Sequence, residues 1–222
     1  MLTSCTKEVE ALRIWYKRAK EIAIKAESMD LLNKAYLQPL HEFRYCLDHL
    51  MRSLDYEQEK KSEEVIKKSV FSAIGHLQRT YSDSVEWMLI NVKEEYVLTL
   101  DEYTNEQIQM VFPEYYTEIR PAFEGITKIV NEYKIHKSVE KATEIISDNE
   151  LEMLQAVTEQ LLTEDAAEKL QDYLEILHNR EVSLFEARKR DKRKDIVDKI
   201  LMPLITGIIG IIIGFLLEIC FL

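Results

Sequence analysis

The eighteen residues from Ile200 to Leu217 contain no charged side chain. At about 1.5 Å rise per residue they form a helix of roughly 27 Å, close to the hydrocarbon thickness of a bilayer. Apolar residues then continue to Leu222 with Glu218 as the single break. A core helix of a water-soluble protein is rarely apolar on every face over such a length. The run therefore predicts a C-terminal transmembrane anchor over residues 196–222, with a polar body ahead of it.

The composition of that body limits its fold. The whole chain has only 5 Gly and 4 Pro in 222 residues, which removes the residues that make turns and leaves strong helix formers in the majority. The expected fold is all-α, a bundle of long helices with a single C-terminal transmembrane helix. Residues 1–147 are read as the cytoplasmic helical bundle. Residues 148–195 are read as a long connecting helix with a basic juxtamembrane end. The net charge of −11 is unevenly spread: residues 188–222 hold seven Lys/Arg and four Asp/Glu, leaving 22 cations against 36 acids before them. So acidic a body has no general attraction for nucleic acid, and no DNA partner is expected. Three separated cysteines (Cys5, Cys46 and Cys220) form no CxxC pair, so neither a metal site nor any cofactor is expected, and a reducing cytoplasm suits the body.

Periodicity places the elements. Val9, Leu12, Trp15, Ala19, Ile22 and Ala26 recur at helical steps behind Thr6 as a candidate N-cap. Asp30 can cap the next segment, which Pro39 must kink or restart. Leu40, Phe43, Leu47, Leu50, Met51 and Leu54 then share one helical face. From Lys60 to Leu100 no proline occurs and the period never lapses, which predicts one helix, or two nearly collinear ones, of about forty residues. Thr104 or Asn105 can cap a further helix, interrupted at Pro113 and Pro121. Ser147-Asp148-Asn149-Glu150 marks a boundary, and Leu170, Leu177 and Leu184 follow at heptad spacing.

Six cations lie immediately before the anchor: Arg188, Lys189, Arg190, Lys192, Arg193 and Lys194. Such a cluster resists translocation and is attracted to anionic head groups, so it orients the body to the cytoplasmic side of the inner membrane. Within the anchor, Gly207, Gly210 and Gly214 share a face with Thr206 beside it. Small residues so placed let helix backbones approach closely, which makes this a candidate assembly face for a homo-oligomer. Thr206 and Glu218 are the polar groups a pore could use; a back-bonded hydroxyl and an interfacial carboxylate explain them equally well.

Catalytic signals are few. Arg44 and His49 form an Arg-x4-His pair suited to phosphate binding and proton transfer in metal-independent RNA cleavage. In a regular helix a five-residue offset turns them about 140° apart. The competing reading makes Glu42, Arg44, Asp48 and Arg52 a set of i,i+4 ion pairs, Arg44 with Asp48 and Asp48 with Arg52. His76, Arg79 and Asp83 fall one turn apart and can line one polar seam.

The run PLHEFRYCLDHLMRSL, followed by VIKKSVFSAIGHLQRTYSDSVEWM, resembles the HEPN-like helical proteins of prokaryotic defence systems, in particular membrane-attached accessory effectors of CRISPR and related anti-phage loci. In that family an Arg-x4–6-His motif carries RNase activity, and by match it falls on Arg44 and His49. Membrane-attached members are thought to disrupt the envelope. The resemblance thus implies a non-enzymatic effector whose partners are the lipid bilayer, further copies of itself, and a protein or RNA of the defence locus. A membrane-tethered RNase and a tail-anchored scaffold are the alternatives.

Overall fold

The computed structural model describes residues 5–30, 36–143 and 165–221. The Asp30-capped segment and the Ser147–Glu150 boundary fall largely or wholly outside them. Among the described residues the fold is all-α with no strand: α1 (Thr6–Ser28), α2 (Gln38–Gln58), α3 (Glu63–Leu100), α4 (Asn105–Val111), α5 (Arg120–Thr143), α6 (Ala166–Ile196) and α7 (Met202–Phe221).

α3 is the axis. Its 38 residues run unbroken, as the absence of proline requires, and bury side chains around most of the circumference, including Val70, Leu77, Val85, Met88 and Tyr96. A helix used on several faces cannot show a single narrow stripe, which is why its apolar positions drift along the sequence. α1 packs against it through Leu12, Trp15, Ala19, Ile22 and Ala26. Towards its C-terminal end, Tyr96 meets Phe112, Tyr115 and Phe123, and its hydroxyl donates to the Tyr173 carbonyl at 2.7 Å. This one residue ties α3 to α4, α5 and α6.

Caps and stops follow from local chemistry. Cys5, one residue before the expected Thr6, is the N-cap of α1, and its side chain accepts no cap bond from the first-turn N–H groups. Thr104 caps α4 in a capping box with Gln107. α2 ends with Lys60 at φ 55°, where Lys61 N–H reaches the Tyr56 carbonyl in a Schellman arrangement normally reserved for glycine. Prolines act differently from the expected interruptions. α4 stops ahead of Pro113, but Pro121 and Pro203 sit inside continuous helix, each preceded by one turn of π-helix, Tyr115–Ile119 and Val197–Leu201. A proline has no N–H for the carbonyl four residues back; the wider turn before it shifts the register so that Arg120 N–H bonds Tyr115 and Met202 N–H bonds Val197.

Through the second π turn α6 and α7 form one helix, continuous over Ala166–Ile213 for 48 residues and so about 72 Å long. Its first part is more than a connector. Leu170, Leu177 and Leu184, the heptad leucines, are completely buried against the core shared with α3. Its last part is long and apolar enough to cross a membrane, and none of that window is buried.

α2 overturns a simple inside–outside reading of its stripe. Phe43 and Leu50 pack against the core, but Leu40, Leu47 and Met51 are exposed. The inward positions are instead Pro39, Glu42, Cys46 and Ser53.

Candidate functional site

Two regions carry functional groups: a polar seam between α2 and α3, and the basic stem leading into α7.

The seam forms because inward positions of α2 and α3 place charge on charge. Glu42, almost fully buried, has its Oε2 2.7 Å from His76 Nδ1 and 3.9 Å from an Arg79 guanidinium nitrogen. Arg79 Nη1 also lies 3.0 Å from the same His76 nitrogen. That nitrogen serves one partner at a time: protonated it donates to Glu42, bare it accepts from Arg79. Gln38 Nε2 donates to the other carboxylate oxygen at 3.3 Å, and Thr80 and Ser69 hydroxyls donate to the carbonyls of His76 and His49. His49 stacks on His76 with ring centres 5.2 Å apart, and burial, reinforced by His76, Arg52 and Arg79, pushes its pKa down to about 4. His49 is therefore neutral at pH 7. Tyr36, stacked on Trp87 at 4.7 Å, is pushed well above its ordinary value by burial and by Asp83, Glu86 and Glu42. Burial also raises the Cys46 thiol to about 11, which keeps it protonated and unreactive.

His76 and Arg79 thus share the expected seam, and their partner Glu42, 34 residues away from His76, was not legible beforehand. Arg44 stands apart. It is exposed, with its guanidinium over the Tyr45 ring at 5.0 Å, and Tyr45 in turn lies 5.4 Å from His76. Arg44 lies on Tyr45 while His49 stacks on His76 in the seam, and no hydrogen bond or ion pair joins the two among the described residues. The ion-pair ladder of Arg44, Asp48 and Arg52 is not formed either; the cation rests on an aromatic face instead.

In the stem, the six cations divide. Arg188 binds the Glu102 carboxylate and lies over Tyr103 at 5.8 Å, and Asp191 accepts from Gln107 Nε2 at 2.8 Å, so one side of α6 is clamped to the loop and first turn of α4. Arg190 directs its Nε to the Glu186 carbonyl. Lys189, Lys192, Arg193 and Lys194 are exposed and make no ion pair among the described residues. Among the described residues, Gln107 to Asp191 is the last side-chain hydrogen bond from the body, nine residues or about 13 Å before Ile200. Within α7, Thr206 donates its hydroxyl to the Met202 carbonyl at 2.5 Å, so this group is satisfied by its own helix. A Cβ added at Gly207 or Gly210 would meet nothing within 4 Å. The surroundings of Gly214 and Glu218 lie outside the described residues.

Glu95, His178 and Glu181 were not singled out from sequence. They bring three potential ligand atoms within 4.8 Å across α3 and α6, the latter two exposed. Comparison with family models, with curated proteins and with solved structures gives no match to this chain.

Proposed function

We propose that this protein is a single-pass membrane effector: a cytoplasmic helical bundle held to the inner membrane by α7, whose anchors associate through Gly207, Gly210 and Gly214 and thereby perturb the bilayer. One observation carries the reading. The same continuous helix is built into the core through Leu170, Leu177 and Leu184 and leaves its apolar window, as far as Ile213, uncovered. A rearrangement of the body is therefore transmitted along a stiff element to the anchor. The four free cations above Ile200 support a cytoplasmic body, and the uncovered glycines support close helix approach. The resemblance to HEPN-like proteins is what favours a role in anti-phage defence. The RNase reading draws less support, since Arg44 is exposed over the Tyr45 ring while His49 is stacked on His76 in the seam.

Expression of the full chain is expected to depolarise cells or admit an impermeant dye. The Gly210→Leu/Gly214→Leu variant is expected to lose at least tenfold of that effect while staying in the membrane fraction. Wild-type chain without effect, or a variant that permeabilises as well as wild type, would refute the proposal.

A further inference from the structure

The outward face of α2 has the pattern of a coiled-coil seam. Leu40, Leu47 and Leu54 recur at intervals of seven, and Leu37, Arg44 and Met51 fill the alternate positions. Leu37, Leu40, Leu47 and Met51 are each more than half exposed, while the polar Glu42, Cys46, His49 and Ser53 face α3. This helix is turned apolar side out, which costs burial unless something covers the stripe.

We infer that the cover is a second copy of this chain, paired through α2 in parallel register. Topology supports the choice. The contacts Glu42–His76 and His49–Ser69 run α2 antiparallel to α3, whereas Tyr96–Tyr173, Glu102–Arg188 and Gln107–Asp191 run α3 and its continuation parallel to α6. α2 therefore stands antiparallel to the helix that leads into the bilayer. Two copies anchored in one membrane are related by an axis along its normal, which sets α2 beside α2 in parallel with every leucine layer in register. Arg44 becomes the single charged residue among the seam's alternate positions, a device that selects register and a low oligomer number at some cost in stability. Its charge is complemented at the rim: Asp48 and Asp55 are exposed, lie on one flank of the seam, and make no ion pair among the described residues.

Area decides when the pair forms. Four half-exposed side chains offer on the order of 400 Å² per copy, against roughly 800 Å² in a stable interface. The seam alone is too small for a dimer in dilute solution, and confinement by the anchors raises the local concentration enough to close it. The inference thus rests on the membrane reading above.

The test is disulfide cross-linking in the membrane fraction, using the full chain with its native cysteines replaced by alanine. Single cysteines at Leu40→Cys, Leu47→Cys and, as an exposed control on α1, Lys20→Cys are oxidised and the products weighed. Dimer at both 40 and 47, at least tenfold above position 20, and lost when Met51→Glu is added, is the expected result. An antiparallel pair would link 47 far better than 40 and would contradict the register. Linkage no better than position 20, or a product of a different mass, would overturn the second copy as the occupant. Absence of the chain from the membrane fraction would remove the underlying reading itself. Leu40 and Leu47 are exposed, so these substitutions leave the core intact, and circular dichroism of each variant verifies it.

Discussion

Ile208→Asp combined with Ile212→Asp is expected to release the chain from membranes. Both residues lie near the middle of the charge-free run, and both are about half exposed, with the window around them uncovered by the body. An aspartate at the centre of a spanning helix costs about 2.5–3.5 kcal/mol, so the pair removes roughly 6 kcal/mol of insertion free energy. Neither position is on the glycine face: 208 and 212 lie about 100° and 140° around the helix from Gly207. The substitution therefore separates anchoring from anchor association. Wild-type chain is expected to resist alkaline carbonate extraction, and the variant to appear mostly in the supernatant with its helical content preserved. Equal retention of both would show that the run does not hold the chain in the bilayer.

The second large effect is in the seam. Glu42→Leu removes the buried carboxylate that meets His76 and Gln38 and lies 3.9 Å from the Arg79 guanidinium, and Arg79→Met removes one of the cations facing that carboxylate. Arg79→Met, which leaves Glu42 its His76 and Gln38 partners, is the milder change, and Glu42→Leu, which removes the acceptor of both, costs about 3–5 kcal/mol. For a body of this size that is a loss of about 10 °C in Tm. The double variant is expected to be less destabilised than the sum of the two by at least about 1 kcal/mol, since both single changes act on one shared network. Thermal unfolding of the four chains in detergent, followed by circular dichroism, closes the cycle. Strictly additive losses would show that Glu42 and Arg79 are stabilised by separate partners.

The parts of this fold that follow from one-dimensional rules were legible. The unbroken period from Lys60 to Leu100 becomes α3, Thr104 becomes a capping box, and the charge-free run becomes a helix that is uncovered as far as Ile213. Periodicity names the residues that share a face and is silent about what that face meets. Hence the Leu170–Leu177–Leu184 heptad is core, whereas the Leu40–Leu47 heptad, equally regular, lies outside. The two π turns escaped notice because their cause, a proline accepted rather than avoided, reads in sequence as a helix break. The Glu42–His76 contact joins residues 34 apart on two helices, whereas spacing alone groups Glu42 with the ion-pairing residues of its own helix.

The central claim is that the last helix crosses the bilayer with the body on the side of the basic stem. Labelling by a membrane-impermeant maleimide tests it in a chain lacking native cysteines, with single cysteines at Lys192→Cys or Leu222→Cys. The account predicts that intact spheroplasts label only position 222 and inverted vesicles only position 192. Labelling of both positions from the same side would contradict it.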